Sequence, residues 1–188
     1  MDNLKFLLVG CLLLGFAANA FSQGNVFTDP EGKFSIELPE GWVKIMDALT
    51  KTTPLLKSGK IYSFGTSRDK SSSFIYIAIM EMTQAKSLKD AAVDFLSGVS
   101  RKVENYSNTP LKNTVLNGID CITTTVTAGS KKFDIVTGIE KMVYDVSIYY
   151  FLKKGNTVYV VNSFSQKDAF EVEKPILEKA LSTFKIIE

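Results

Sequence analysis

Histidine is absent from this 188-residue chain, and cysteine occurs only twice, as Cys11 and Cys121. Without histidine, neither a Ser-His-Asp triad nor a Cys-His dyad can form. Zinc sites of the ordinary type are excluded as well, because a single cysteine outside the N-terminal segment leaves too few ligands. An exported chain that loses Cys11 with its signal would also contain no internal disulfide. Stability must then come from packing, and no catalytic residue, metal site or cofactor is predicted.

Neither sign of charge is in excess. The chain has 22 Lys and Arg against 20 Asp and Glu, a formal net charge of +2. Removing residues 1–22 takes away Asp2 and Lys5, so the balance does not change. A nearly neutral chain has no electrostatic footprint for nucleic acid, and nucleic-acid partners are excluded on that ground. The 166 residues that remain are enough for one domain with a sizeable core, predicted over residues 23–188.

The apolar run at residues 6–18 is too short to cross a membrane. It has 13 residues, whereas a spanning helix needs about 20. The run suits the core of a secretory signal, which predicts a signal peptide over residues 1–22 and a periplasmic or extracellular protein without a transmembrane helix in its mature form. The small residues Ala18 and Ala20 allow cleavage after Ala20 or after Ser22.

A lipoprotein signal is the alternative for the same segment. Leu8-Val9-Gly10-Cys11 matches the box that directs lipid attachment to a cysteine. Only five apolar residues precede Cys11, however, and an apolar stretch follows it where a lipoprotein would have a polar tether. A soluble exported protein is therefore the favoured interpretation.

The first half of the mature chain alternates between strands and turns before its first helix. Residues 26–38 predict a hairpin, since apolar and polar residues alternate strictly over 33–38 behind a turn. Residues 61–64 predict a third strand, and residues 74–80, which are apolar on both faces, predict a central one. Residues 44–59 have weak periodicity and contain Pro54, which favours a loop with some helical turns.

A helix is predicted over residues 87 to about 104. Ser87 is a favourable N-cap, and Asp90 stands three residues after it, which is the spacing of a capping box. Apolar residues then fall on one helical stripe. They are Leu88, Ala91, Ala92, Phe95, Leu96, Val99 and Val103.

The second half repeats the order of strands followed by a helix. Four strands are predicted, over residues 114–116, 119–128, 142–152 and 158–164. Asn117-Gly118 joins the first pair, because these residues supply the positive φ angles of a tight hairpin. A loop through Gly155 joins the second pair, with two or three residues equally compatible. The last helix is predicted to hold Pro175 in its first turn. Its apolar stripe is predicted to consist of Leu177, Ala180, Leu181 and Phe184.

A short set of residues near the two ends of the predicted domain forms a recognisable pattern. It consists of Phe27, Phe34-Ser35-Ile36, Leu38-Pro39, Gly41-Trp42 and the closing segment Leu181-Ser182-Thr183-Phe184-Lys185-Ile186. With the order of the elements, this pattern resembles the PsbP-like and DcrB-like proteins, a group that includes the PsbP protein of the oxygen-evolving complex, a Ran-binding nuclear import factor and the bacterial envelope protein DcrB. The resemblance implies an α+β fold, in which an antiparallel sheet is flanked by helices in an α/β/α sandwich. It implies no activity, because members of the group do unrelated jobs.

Four aromatic residues are the candidate binding residues. Trp42, Tyr62, Phe64 and Tyr76 would together line an aromatic pocket, although aromatic residues in strands more often belong to a core. Cys121 lies between apolar strand residues and is interpreted as buried and inert.

Four acidic residues near the first turn could in principle gather a divalent cation. They are Asp29, Glu31, Glu37 and Glu40. Calcium needs about six or more oxygen ligands, and these residues alternate around a turn, so a solvated face is the preferred interpretation.

Two functional hypotheses follow. The first is an exported, non-catalytic binding or accessory protein with an unidentified protein or small-molecule partner in the cell envelope. The second is a hydrolase that works through paired carboxylates, with Glu37, Glu81 and Asp145 as candidates. A carrier of small apolar ligands, with its pocket near Trp42, is a further alternative. No convergent polar groups are visible in the sequence, which favours the first hypothesis.

Overall fold

The computed structural model describes residues 25–49, 53–66, 73–84, 86–134 and 138–187. The predicted signal peptide lies outside the described residues. The elements, in chain order, are β1 (Asn25–Thr28), β2 (Phe34–Leu38), β3 (Trp42–Leu49), β4 (Leu56–Thr66), β5 (Ser73–Met82), α1 (Leu88–Ser100), β6 (Glu104–Asn108), β7 (Lys112–Leu116), β8 (Ile119–Asp134), β9 (Ile139–Lys154), β10 (Thr157–Gln166), α2 (Lys167–Leu181) and β11 (Lys185–Ile186). Among these described residues strands predominate and two helices accompany them, so the predicted α+β class is confirmed.

A large antiparallel sheet forms the centre of the molecule. Its strand order is β3-β4-β5-β10-β9-β8-β6, and β7 pairs with one end of β8. The predicted central strand lies in β5, between β4 and β10. Residues on both sides of β5 are buried, as its two-sided apolar pattern indicated.

One helix packs on each face of this sheet. On one face, which we call the α1 face, Leu96 belongs to the same buried cluster as Val160 of β10. On the other face, which we call the α2 face, Leu177 of α2 belongs to the same buried cluster as Val161 of β10. Because successive strand residues point to opposite faces, the two helices lie on opposite sides of the sheet.

A small sheet completes the cover of the α2 face. Its order is β1-β2-β11, and the predicted hairpin of β1 and β2 is confirmed. Phe34, Ile36 and Leu38 point inward and are buried, while the residues between them are more exposed. Phe34 stacks on Phe184, which follows α2, with 5.7 Å between the ring centroids.

Local signals in the sequence fix several boundaries. The hydroxyl of Ser87 accepts a hydrogen bond from the backbone N–H of Asp90 at 3.1 Å, and the Asp90 carboxylate accepts one from the Ser87 N–H at 3.1 Å. The predicted capping box is therefore confirmed. The helix ends at Ser100, before the predicted 104, because the chain has entered β6 by Glu104.

Both later hairpins are confirmed as well. Asn117 and Gly118 have φ values of 47° and 79°, as the tight turn between β7 and β8 requires. Between β9 and β10, Lys154 pairs with Thr157, so the loop has two residues and Gly155 takes a positive φ.

The loop predicted over residues 44–59 is wrong, because β3 and β4 occupy most of this stretch. The register shifts between Lys44 and Met46, and again around Gly59, so the apolar alternation is broken twice. A Cβ at Gly59 would lie 1.7 Å from the carbonyl oxygen of Ile79. Glycine here reflects a close approach of two backbones.

The position predicted for Pro175 is also wrong. Helix α2 begins at Lys167, so Pro175 lies inside it. The residue before the helix is Gln166, whose side chain makes no capping hydrogen bond. The N-terminus of α2 therefore carries none of the capping residues by which a helix start is recognised in a sequence. The predicted apolar stripe itself is buried, with Leu177, Ala180 and Leu181 in the core.

Candidate functional site

Three of the four predicted binding residues lie in the core on the α2 face. Trp42, Tyr62 and Phe64 are 5%, 3% and 0% exposed and belong to one buried cluster. The rings of Tyr62 and Phe64 contact Phe27, with centroids 5.6 and 4.9 Å away. Tyr76 stands on the opposite face, because it pairs with Ser63 between those two residues. The four residues therefore share no common surface, and only Tyr76 faces a half-open part of the sheet.

The solvated position expected for Asp29 is wrong. Asp29 is 2% exposed, and its Oδ1 accepts a hydrogen bond from the hydroxyl of Tyr62. Its Oδ2 accepts one from the backbone N–H of Lys33 at 3.2 Å. The carboxylate thus closes the turn after β1 and ties it to β4. Within the described ranges, no three acidic or cysteine residues are grouped so as to hold a metal ion.

Cys121 is buried on the α2 face, as interpreted from its neighbours. Its side chain is 3% exposed. Burial raises the pKa of its thiol to about 11, and the charge of Asp120 acts in the same direction. The thiolate is the reactive form, so this cysteine is chemically inert at neutral pH.

The three carboxylates of the hydrolase hypothesis do not converge. Glu37 belongs to the small sheet, where it pairs with Val26. Glu81 pairs with Thr157 at one end of β10, and Asp145 pairs with Gln166 at the other end. Those two positions are separated by about 30 Å along the strand. The paired arrangement that glycoside or ester hydrolysis by two carboxylates needs is therefore not present in these three residues.

An aromatic stack lies on the part of the α1 face beyond the cluster that the helix covers. Phe74 of β5 is directly opposite Phe164 of β10, and their nearly parallel rings are 5.0 Å apart. Tyr76 stacks on Phe164 at 5.5 Å, with 9° between the ring planes. All three side chains are half-buried and stand outside the cluster under α1. They form a rigid aromatic surface at low entropic cost.

A polar row on β9 runs beside this stack. Tyr149, Ser147 and Asp145 alternate along the strand and therefore face the same side, the α1 face. The Oδ1 atom of Asp145 is buried and finds no hydrogen-bond donor among the described residues. Burial raises the pKa of Asp145, against the opposing effect of Lys132. Burial, and then the charge of Asp145, raise the pKa of Tyr76, which puts the two side chains in one electrostatic environment.

Tyr106 connects this row to a groove beside α1. The pairing of β6 with β8 shifts between Glu104 and Ser107, and Asn105 has a φ of 48°. This bulge directs Tyr106 toward the α1 face, a common use of bulges near functional sites. The groove has a volume of about 270 Å³. It is lined by Val93, Leu96, Ser97, Ser100, Tyr106, Asn108 and Leu111.

The hydroxyl of Tyr106 is the second unsatisfied oxygen on this face. It is buried and has no hydrogen-bond partner in the part of the chain that is described. Burial raises its pKa, and burial together with the proximity of Tyr106 raises the pKa of Tyr149 to about 12. We refer to Tyr76, Tyr106, Asp145 and Tyr149 as the open-face site. Buried polar atoms are normally paired, so these two oxygens are available to hydrogen-bond a ligand or ordered water.

The sequence pointed to half of this site. Asp145 was a candidate carboxylate and Tyr76 a candidate aromatic residue, but their proximity depends on the register of β5, β10 and β9. Tyr106 carries no signal of a binding role in the sequence. Tyr149 belongs to the aromatic-rich stretch over residues 144–159, whose side chains point to both faces of the predicted hairpin. The alternation of Tyr149, Ser147 and Asp145 was the available signal, since it places three polar groups on one strand face.

No protein-family model matches the chain, and no curated protein matches it. Its fold is similar to that of cyanobacterial PsbP (CyanoP) from Synechocystis sp. PCC 6803, with a TM-score of 0.57 and 11% identity. The similarity covers 92% of this chain and 98% of that one. The chain therefore has a PsbP-like fold. At this identity the similarity concerns the fold alone.

Two further solved structures are similar to the PsbP-like fold of this chain. A protein of Bacteroides thetaiotaomicron VPI-5482 matches with a TM-score of 0.50 and 18% identity over 88% of this chain. This chain spans about half, 49%, of the length of that protein. LpqN, which is involved in cell envelope biogenesis of Mycobacterium tuberculosis, matches with a TM-score of 0.49 and 11% identity over 88% of this chain and 91% of that one. No helix among the described residues is long and apolar enough to cross a membrane.

Proposed function

We propose that this chain is an exported, non-catalytic binding protein of the cell envelope. Residues 1–22 act as a signal peptide, and residues 23–188 form one mature domain with the α/β/α layering of PsbP-like proteins. The domain holds a small molecule, or a short segment of a partner protein, at the open-face site. The support for export is the sequence of the N-terminal segment.

The observation that carries the binding proposal is the pair of unsatisfied oxygens on the α1 face. Asp145 Oδ1 accepts hydrogen bonds, and the Tyr106 hydroxyl both donates and accepts them. Each unpaired buried group costs about 1–3 kcal/mol, and a bound partner with suitable polar atoms would remove that cost. The aromatic stack beside Tyr76 supplies apolar contact for the rest of the ligand.

Binding accounts for this site better than catalysis does. A general base works best with a pKa near the operating pH. Burial instead moves the pKa of Tyr76, Tyr106 and Tyr149 further above neutrality, so these phenols stay protonated. Asp145 has no second carboxylate from the hydrolase hypothesis near it, because Glu81 pairs at the far end of β10. The site offers hydrogen bonds and stacking surface without an evident nucleophile.

Native mass spectrometry of the protein recovered from its own cell envelope tests the proposal. We expect a mature chain without residues 1–22, together with a retained species that is lost on mild denaturation. Asp145→Ala should reduce the retained fraction strongly, and Tyr106→Phe should reduce it by removing one hydroxyl. Tyr144→Phe is the matched control, because Tyr144 precedes Asp145 in β9 and its phenol hydroxyl therefore lies on the opposite face.

Two results would contradict the proposal. A wild-type protein that stays empty after recovery and after incubation with envelope extract would refute ligand or partner binding at this site. Equal retention by wild type, Asp145→Ala and Tyr106→Phe would place any ligand elsewhere. A recovered chain that keeps residues 1–22 would refute the export step separately.

A further inference from the structure

The aromatic stack of the open-face site continues across the sheet to its edge strand, β3. Phe164 of β10 pairs with Phe74 of β5, and Phe74 pairs with Gly65 of β4. Gly65 in turn pairs with Val43 of β3, which stands at the end of the strand order. Directly paired residues share a face, so all four stand in one row on the α1 face. The row crosses four strands, a distance of about 14 Å at the usual strand spacing.

Gly65 allows the apolar side chains on either side of it to meet. A Cβ atom at Gly65 would lie 2.8 Å from Cδ1 of Ile45 and 2.9 Å from Cδ1 of Phe74. Side chains from β3 and β5 therefore cover the glycine, and a larger residue would push them apart. Val43 and Ile45 are 43% and 48% exposed, so apolar surface is open to solvent at this edge. We call Val43, Ile45, Phe74 and Phe164 the apolar band.

The apolar band has a polar end at β9. Asp145 of β9 pairs with Gln166, two residues after Phe164, so the Asp145 and Phe164 side chains are diagonal neighbours on the α1 face. On its other side Asp145 pairs with Ala128, and the bulge in β6 places Tyr106 opposite the same alanine. The two unsatisfied oxygens, Asp145 Oδ1 and the Tyr106 hydroxyl, therefore lie at one end of the apolar band. Apolar along most of its length and polar at one end, this surface has the polarity of an amphiphile.

The charges around Asp145 determine which polar group fits there. An ionised carboxylate only accepts hydrogen bonds, so the ligand must supply a donor. An anionic group is disfavoured, because like charges in contact are costly. Burial raises the pKa of Asp145 and the charge of Lys132 opposes that rise, so a positive group already acts on this carboxylate. A neutral hydroxyl suits both oxygens, since it can donate to Asp145 while it accepts from Tyr106.

We propose that the open-face site binds a neutral amphiphile, with a hydroxyl-bearing head at Asp145 and Tyr106 and a single apolar chain along the apolar band. This inference rests on the binding function proposed above and adds the chemical class of the ligand. The chain covers Val43 and Ile45, and removing their apolar surface from water favours binding. A head with more than one hydroxyl can reach both oxygens across Ala128.

Isothermal titration calorimetry of the mature protein with monolauroylglycerol measures this binding at neutral pH. The probe has two head hydroxyls and one chain, and it is kept below the concentration at which it aggregates. Laurate has the same chain with an anionic head, and glycerol has the head without the chain. We expect saturable binding of monolauroylglycerol, binding of laurate at least about tenfold weaker, and no measurable binding of glycerol.

Three variants separate the chain from the head. Val43→Ser with Ile45→Ser should weaken the binding of monolauroylglycerol at least about tenfold, because the chain loses apolar contact. Val172→Ser is the matched control, since Val172 is an exposed apolar residue on α2, and it should bind as the wild type does. Asp145→Asn keeps an acceptor and removes the charge, so it should bind laurate at least about tenfold more tightly than the wild type does.

Any of three calorimetric results overturns the inference. The first is absence of saturable binding of monolauroylglycerol by the wild type. The second is equal binding of this probe by the wild type and the Val43→Ser/Ile45→Ser variant. The third is binding of laurate by the wild type as tight as that of monolauroylglycerol.

The species retained from the cell envelope separates this inference from the function on which it rests. A retained polypeptide, or a small molecule without an apolar chain, that Asp145→Ala releases would overturn the amphiphile and leave binding at the open-face site intact. A retained neutral amphiphile that Asp145→Ala and Val43→Ser/Ile45→Ser both release would support the two together.

Discussion

Removal of the Tyr62 hydroxyl should destabilise the protein far more than one lost phenol group usually does. Tyr62 is 3% exposed, and its hydroxyl donates to the Oδ1 atom of Asp29, which is 2% exposed. In Tyr62→Phe the ring stays in the core, but the Asp29 carboxylate loses the hydrogen bond from the hydroxyl. It keeps the hydrogen bond from the backbone N–H of Lys33 at 3.2 Å. Water has little access to restore the missing bond.

The magnitude follows from the charge of the acceptor. Hydrogen bonds to charged groups contribute about 1.5–3 kcal/mol, and an acceptor left buried adds its desolvation cost. We therefore expect Tyr62→Phe to lower the free energy of unfolding by about 2–3 kcal/mol. For a domain of this size, each kcal/mol corresponds to about 2–4 °C in Tm.

Urea denaturation followed by tryptophan fluorescence is the suitable assay. The only tryptophan, Trp42, lies in the same buried cluster as Tyr62, so its emission reports on that part of the core. Tyr144→Phe is the control, since Tyr144 is 38% exposed and its change should stay within about 0.5 kcal/mol. A Tyr62→Phe variant as stable as this control, or full additivity with Asp29→Asn, would refute the role given to the hydroxyl.

Three other perturbations test separate features. Burial raises the pKa of the Cys121 thiol to about 11, so the folded protein should react with a disulfide reagent at pH 8 only as fast as it unfolds. In urea the thiol should react at once, and fast labelling of the native protein would contradict its burial. Asp145→Asn should raise the free energy of unfolding at pH 7. Burial raises the pKa of Asp145 in the folded state above its ordinary value of 3.8, so the wild type loses stability as the pH rises from that value through the folded-state pKa. This advantage should vanish in acid, and a constant advantage across pH would contradict the desolvation argument. Ser87→Ala should cost about 1 kcal/mol in urea denaturation by removing the N-cap of α1, whereas an unchanged midpoint would show that packing alone sets this helix end.

Features that depend on neighbours in the chain were predictable from the sequence. The alternation over residues 33–38, the Ser87–Asp90 capping box and the Asn117-Gly118 turn each have a local physical cause. Such causes act within a few residues, so they can be recognised without knowing the fold. The PsbP-like resemblance rested on the same local motifs and indicated the fold correctly.

Features set by distant parts of the chain were not predictable in this way. Asp29 looked like a turn residue in solvent, but its partner Tyr62 lies 33 residues away in sequence. The strands within 44–59 were hidden by bulges, and Gly59 is required by the backbone of Ile79 across the sheet. In each case the deciding contact lies on another strand, and register cannot be read from one strand alone.

The lengths of the elements explain why the open-face site is left uncovered. Helix α1 has 13 residues and is therefore about 20 Å long. Strands β8 and β9 have 16 residues each and reach about 50 Å when extended, whereas β10 has 10. One short helix cannot cover a sheet of these dimensions, so the aromatic stack and the row ending at Asp145 stay partly open on the α1 face. The excess length of β8 and β9 over β10 leaves residues 130–134 and 139–144 paired only with each other among the described strands. Lengthening α1 toward Tyr76 would cover the open-face site, so a variant with the longer helix should lose the retained species that native mass spectrometry is expected to find.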